Sequence, residues 1–99
     1  MSNNVVKDGI IMLHPVRWKI LDTLCSKGGA MYIEEIADTI EEDRRLVSFH
    51  LGVLQERGFL VSEFKIVQKP ASKGKAGRFF KLTPKYEKTK AKLVEIFSI

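Results

Sequence analysis

One cysteine, Cys25, stands among 99 residues, which excludes an internal disulfide and any metal site built from several thiolates. No apolar run of membrane length and no leader-like segment lies near the start, so the chain reads as a cytoplasmic protein. Internal repeats and low-complexity tracts are missing as well. No Gly-rich phosphate loop, metal-ligand spacing or nucleophile triad is present, and nothing implies a cleft in which paired carboxylates could work as acid and base. Neither an enzyme nor a cofactor is expected. What the chain has in excess is positive charge: 17 Lys+Arg against 12 Asp+Glu leave a formal +5. That balance favours a polyanionic partner, nucleic acid ahead of an anionic membrane. With 44% apolar residues, one small domain over residues 1–99 can bury a modest core, and pairing with a second copy would enlarge it.

Helical periodicity accounts for most of the chain. Residues 5–13, VVKDGIIML, suit a short apolar helix that ends at His14-Pro15, because proline disfavours helical geometry in the residue before it and fits the first turn of a new helix. From Pro15 the stretch PVRWKILDTLCSKGG sets Val16, Ile20, Leu21 and Leu24 at helical spacing and stops at Gly28-Gly29. AMY, residues 30–32, offers one strand rung before IEEIADTI, where Ile33, Ile36, Ala37 and Ile40 predict a helix over 33–40. Glu41, Glu42 and Asp43 then break the pattern, and the Asp43 carboxylate suits the exposed amides that open the next helix.

In RRLVSFHLGVLQERGFL, residues 44–60, Val47, Leu51 and Leu54 step by four and three, Leu46 and Val53 widen the buried face, and Gly58 provides the exit. FLVSEFKIVQ and RFFKL, rich in β-branched and aromatic residues, flank the loop-like KPASKGKAG and predict a two-stranded hairpin. Thr83-Pro84 opens a final helix carrying Tyr86, Leu93, Ile96 and Phe97. The fold class is therefore mainly α with a small β-hairpin, in the order of a winged helix-turn-helix, with helices at both termini.

Such a helical pair can set its second helix in a DNA major groove, where residues near the helix start reach base edges. Arg44, Arg45, Ser48 and Gly52 fall outside the apolar stripe and give that helix a polar, cationic start. An arginine can bridge guanine with two hydrogen bonds, whereas a phosphate contact adds affinity without sequence preference. Ser48 suits a base edge or a phosphate. Phe49 either touches a thymine methyl or folds back into the core or a dimer, and His50 is a packing residue or, as a lesser option, a phosphate contact. Between Lys65 and Lys81 every charge is positive, and Lys69, Lys73, Lys75 and Arg78 are what a phosphate-tracking hairpin requires. The acidic run from Glu34 to Asp43 reads as solvated surface, and Cys25 as a small buried apolar residue. Val5, Val6, Ile10, Ile11 and Leu13 at one end, with Tyr86, Leu93, Ile96 and Phe97 at the other, suit a dimer interface; Trp18 fits either that interface or the core.

Four stretches carry a family likeness: HPVRWKIL at 14–21, EEIADTI at 34–40, LVSFHLGVLQERGFL at 46–60 and GRFFKLT at 77–83. Over roughly residues 14–83 the chain resembles the ArsR-like family of dimeric transcriptional regulators. The most specific match is S-x-H-L, Ser48 to Leu51, followed by L-x-x-x-G, Leu54 to Gly58. The resemblance implies a homodimer that binds double-stranded DNA, recognition from residues 44–50, terminal helices packed across a two-fold axis, and repression by covering a promoter. Glu41 and Glu42 stand where the family usually has a glycine and then an apolar residue. The paired cysteines that many metal-sensing members carry in the helix corresponding to 33–40 are absent, which excludes a thiolate metal switch of that design. The signal is then an unidentified small-molecule effector, temperature or none. Two other functions compete with the regulator: a winged-helix module that binds protein through its acidic helix, and a nonspecific architectural DNA binder.

Overall fold

The computed structural model describes residues 3–66 and 76–98, with side chains from Val6 onward. Its first boundary falls at His14-Pro15, between α1 (Asn3–Met12) and α2 (Pro15–Lys27). His14 is extended, at φ −65° and ψ 130°, and its Nδ1 accepts the Val16 N–H at 3.2 Å, satisfying one of the amides that a helix start leaves open. Gly28 ends α2 in the left-handed region, φ 72°, with its N–H donating to the Leu24 carbonyl at 3.1 Å.

After β1 (Met31–Tyr32) come α3 (Ile33–Ile40) and α4 (Arg44–Glu56), joined by residues 41–43. Then follow β2 (Leu60–Ile66), β3 (Ala76–Leu82) and α5 (Pro84–Phe97). The strands form an antiparallel sheet in the order β1-β3-β2, so the two-residue rung expected at 30–32 lies on the outer side of β3, pairing Met31 with Phe80 and Tyr32 with Phe79. The hairpin runs in register from Leu60↔Leu82 to Ile66↔Ala76. Thr83 locks the sheet to α5: its hydroxyl accepts the Lys85 N–H at 3.3 Å and donates to the Gly58 carbonyl at 2.6 Å.

The core is the sum of the apolar stripes. Ile20, Leu21 and Leu24 of α2 meet Ile36 and Ala37 of α3, Val47, Leu51 and Leu54 of α4, Phe59 just before β2, and Leu60 and Phe80 of the sheet. Each large side chain so buried contributes about 1.5–3 kcal/mol. Three expectations are corrected. Leu46 is 38% exposed, because it lies about a quarter turn round α4 from the centre of the buried stripe and nothing covers that flank. Cys25 is exposed for the same reason, one position beyond buried Leu24. Tyr86 is only 1% exposed: the first turn of α5 presses its ring into the core of the single chain, which removes it from any surface between copies.

Turning from α3 into α4 within three residues forces one of them into the left-handed region, and that residue is Glu41, at φ 56° and ψ 46°. A side chain there costs about 1–2 kcal/mol relative to its preferred conformations, and glycine removes the clash while losing more entropy on folding. Glu41→Gly should accordingly raise the unfolding free energy by about 0.5–1 kcal/mol in chemical denaturation. An unchanged or lower midpoint would show that the turn is relaxed with glutamate in place.

Candidate nucleic-acid interface

The start of α4 is fixed by its cap. Asp43 is extended, and its carboxylate accepts the N–H groups of Arg45 at 3.0 Å and Leu46 at 3.3 Å while its carbonyl accepts the Val47 N–H at 2.9 Å. From that start Val47, His50, Leu51 and Leu54 turn inward. Arg45, Ser48, Phe49 and Gly52 turn outward. The two arginines differ in environment: Arg44 pairs with Glu34 across the turn at 3.3 Å, with both side chains largely solvated, whereas Arg45 makes no ion pair among the described residues. Exposed pairs of that kind contribute at most about 1 kcal/mol, so Arg44 can exchange its partner for a phosphate.

Phe49 is 62% exposed, which removes the expectation that it folds into the core. For His50 the packing reading holds and the lesser option, a phosphate contact, is removed. It is 3% exposed and faces α2, where its Nδ1 accepts the Arg17 Nε–H at 3.1 Å and its ring lies 4.5 Å from that of His14, centroid to centroid. Arg17 can only donate, so His50 must be neutral at Nδ1, with its proton on Nε2. Burial lowers its pKa first, and the neighbouring His14 and Arg17 charges lower it further. The residue therefore ties the second helix of the pair to the start of α2 and is turned away from the surface a duplex would touch.

The hairpin exposes Arg78 on one face and Lys65 and Lys81 on the other. Arg78 pairs across the strands with Phe64, its guanidinium 5.3 Å from the ring centroid, and the Ser62 hydroxyl donates to Gln55 Oε1 at 3.2 Å, holding β2 against α4. Lys69, Lys73 and Lys75 lie outside the described residues. The hairpin base is pinned from α1 and α5, where Asp8 stands 3.3 Å from Lys85 Nζ and 3.9 Å from the Arg57 guanidinium, and Lys85 donates to the Arg57 carbonyl at 2.5 Å.

The terminal helices meet closely because residue 9 is glycine: a Cβ there would stand 2.8 Å from Leu93 Cδ2. Their outer faces expose Val6, Ile10, Leu13 and Phe97, while Ile11, Leu93 and Ile96 are half-buried. Sequence reasoning passed over Val94, which with Leu13, Trp18, Leu93 and Phe97 lines an apolar depression of about 380 Å³. The row formed by Lys90, Val94 and Phe97, at helical spacing, carried that signal. The Arg17–His50 pair was also missed as a feature of the site and was not legible, whereas Gly52 was already placed outside the apolar stripe.

Among the described residues no group of three or more His, Cys, Asp or Glu side chains is placed to hold a metal, and no helix is long and apolar enough to cross a membrane. A family model described as a helix-turn-helix domain matches residues 12–63, the span from the end of α1 through both helices of the pair into β2. The chain belongs to the helix-turn-helix domain family. It is a winged helix-turn-helix protein of the ArsR/MarR type, a class of DNA-binding transcription regulators. Among solved structures it is similar to the transcriptional repressor BigR from Xylella fastidiosa, at 28% identity over 96% of this chain and 84% of that one, TM-score 0.62. It is also similar to a possible transcriptional regulator for arsenical resistance, at 24% identity over 90% and 81%, TM-score 0.67. Diamide-treated YodB from B. subtilis shares the fold at TM-score 0.76, with 15% identity over 99% and 90%. No curated protein matches the chain.

For this helix-turn-helix chain the His50 geometry sets a pH dependence. Folding holds the pKa of His50 below its ordinary 6.5, so as the pH falls the unfolded chain takes up the proton first. Stability from this residue is fully present above that ordinary value and is lost progressively below it. Denaturant midpoints should be lower at about pH 5.5 than at about pH 7.5, and the difference should shrink in His50→Gln. An equal drop in both proteins would place the titration elsewhere.

Proposed function

We propose that the protein is a homodimeric, sequence-specific double-stranded DNA-binding regulator that represses transcription by covering a promoter, with residues 1–99 acting as one domain. The observation that carries this reading is the two-sidedness of α4: an apolar face packed on α2 and α3, and an opposite face presenting Arg45, Ser48, Phe49 and Gly52 beside a basic hairpin. Arg44 and Arg45 enter the major groove at the helix start, Ser48 meets a base edge or phosphate, and Lys69, Lys73, Lys75 and Arg78 follow the phosphates next to it. Likeness to the repressor BigR supports the direction of regulation.

Replacing Arg44 and Arg45 together with alanine should remove about 1–3 kcal/mol of discrimination for each guanine that an arginine had bridged. Neutralising Lys73, Lys75 and Arg78 should instead weaken binding to all duplexes and reduce the slope of log affinity against log salt by about 3. Fluorescence anisotropy on a duplex selected from a random pool, compared with bulk DNA, separates the two effects. Full affinity and an unaltered salt slope in both variants would remove the assignment.

The exposed apolar faces of α1 and α5 supply the dimer surface, through Val6, Ile10, Leu13, Val94 and Phe97 with the half-buried Ile11, Leu93 and Ile96. A two-fold axis there sets the two α4 helices into successive major grooves about 34–36 Å apart. Sedimentation should show a dimer for the wild type and a monomer for Phe97→Asp, since a carboxylate in a dry apolar contact is strongly unfavourable. A wild type that sediments as a monomer at every concentration would refute the dimer.

A further inference from the structure

We infer that Phe49 and Gly52 form a thymine-reading surface on α4, an apolar ring beside a bare stretch of helix that receives the 5-methyl group of thymine in the major groove. The inference rests on the DNA-binding reading above and deepens it. Two features of the free chain motivate it, and each is unfavourable on its own. Phe49 exposes 62% of its surface in the middle of a helix whose core positions are filled by other residues. Gly52, three positions on and on the same outward side, sits in a helix interior where glycine is about 0.5–1 kcal/mol worse than alanine, although beyond its chain neighbours and the helix's own backbone no atom of the described residues lies within 4 Å of the point where a Cβ would stand. Nothing among the described residues requires a glycine there. An external surface that approaches the backbone at Gly52 and covers the ring of Phe49 accounts for both.

The chemistry of the neighbours selects that surface. Arg45 lies one turn before Phe49 on the same side and Ser48 stands next to it, so the approaching body is anionic and offers hydrogen-bond acceptors. A duplex satisfies this, and in its major groove the thymine methyl is the apolar group a base edge presents. The ring is also held in place: its centroid lies 5.1 Å from that of the buried His50 ring, with the planes at 74°, and His50 is in turn bonded to Arg17. A fixed aromatic loses little side-chain freedom on contact. Arg45 reads by hydrogen bonds and Phe49 by the presence or absence of one methyl.

Deoxyuridine keeps the pairing edge and O4 of thymine and lacks only the methyl. The full-length protein is used to enrich duplexes from a random pool, and each thymine of the winning site is then replaced singly by deoxyuridine. Wild type should lose about fourfold in affinity at one thymine per half-site, the fold-change of one buried methyl. Phe49→Ala should bind the thymine and deoxyuridine duplexes equally. Arg45→Ala should bind both more weakly and keep their ratio. Gly52→Ala, which puts a methyl where that of thymine would lie, should narrow the ratio while raising thermal stability. An enriched duplex with no deoxyuridine-sensitive position, or a penalty that persists in Phe49→Ala, overturns the inference and leaves the regulator standing. Altered sedimentation of Phe49→Ala without loss of thymine dependence assigns the ring to a protein contact and overturns it too. If no duplex is enriched, the DNA-binding reading fails and the inference falls with it.

Discussion

The structure depends on α4 being buried along one side only. Val47, Leu51 and Leu54 go into the core, the Asp43 cap fixes where the helix begins, and helical geometry then leaves no freedom over which residues face out. Arg45, Ser48, Phe49 and Gly52 are outward because the other set is inward. The constraint is stiff, since rotating α4 enough to expose a different set would draw Leu51 and Leu54 out of the core at about 1.5–3 kcal/mol each. His50 adds a polar constraint to the apolar one. Its single acceptor nitrogen is met by Arg17 from α2, so a rotation would also leave a donor and an acceptor half-buried and unpaired.

Two joints carry this fixed helix to the ends of the molecule. On one side His14 caps α2 and stacks on His50, so the break between α1 and α2 and the middle of α4 share one cluster. On the other, Asp8 of α1 reaches Lys85 of α5 and Arg57 just beyond α4, while Thr83 bonds to the Gly58 carbonyl. The apolar faces of α1 and α5 are thereby held in a defined relation to the outward face of α4. In the proposed dimer, spacing between half-sites would need such a relation, because two helices can enter grooves one turn apart only when the segments joining them to a two-fold axis are rigid.

Much of this was legible in the sequence wherever one element decides its own geometry. The proline-led starts of α2 and α5, the Asp43 cap, the glycine stop at Gly28 and the stripe of Val47, Leu51 and Leu54 follow from local sterics and periodicity, and each is found where the residues put it. The likeness of SFHL and LQERG to a regulator family likewise pointed to the fold that the chain adopts. What was not legible depends on neighbours. Periodicity gives the centre of a buried stripe but not its width, so Leu46 was placed inside although no element covers its flank. Tyr86 and Phe97 look alike as apolar members of one helix, yet the first lies under the sheet-to-helix joint and the second beyond it. Arg17 and His50 are 33 positions apart, and no local pattern announces that one will donate to the other.

Charge is distributed less simply than the formal +5 implies. Two acids of α3 and the turn are paired with cations of their own chain: Glu34 holds Arg44, and Glu42 holds Lys19 at 3.4 Å. Near the start of α4 the cation outside any ion pair among the described residues is Arg45, with Arg44 available once Glu34 releases it. The hairpin has no acid from Lys65 to Lys81, and among its described residues the one ion pair is the short Lys65–Glu63 contact at its edge. The two surfaces are thus suited to different tasks. In the proposed regulator the lightly charged helix face would discriminate, because strong nonspecific attraction there would bind every sequence alike, while the acid-free hairpin would supply the affinity that phosphate offers at any sequence. An exposed phenylalanine fits the first task for the same reason, since a ring carries no charge to attract the wrong duplex and gains only where an apolar edge meets it.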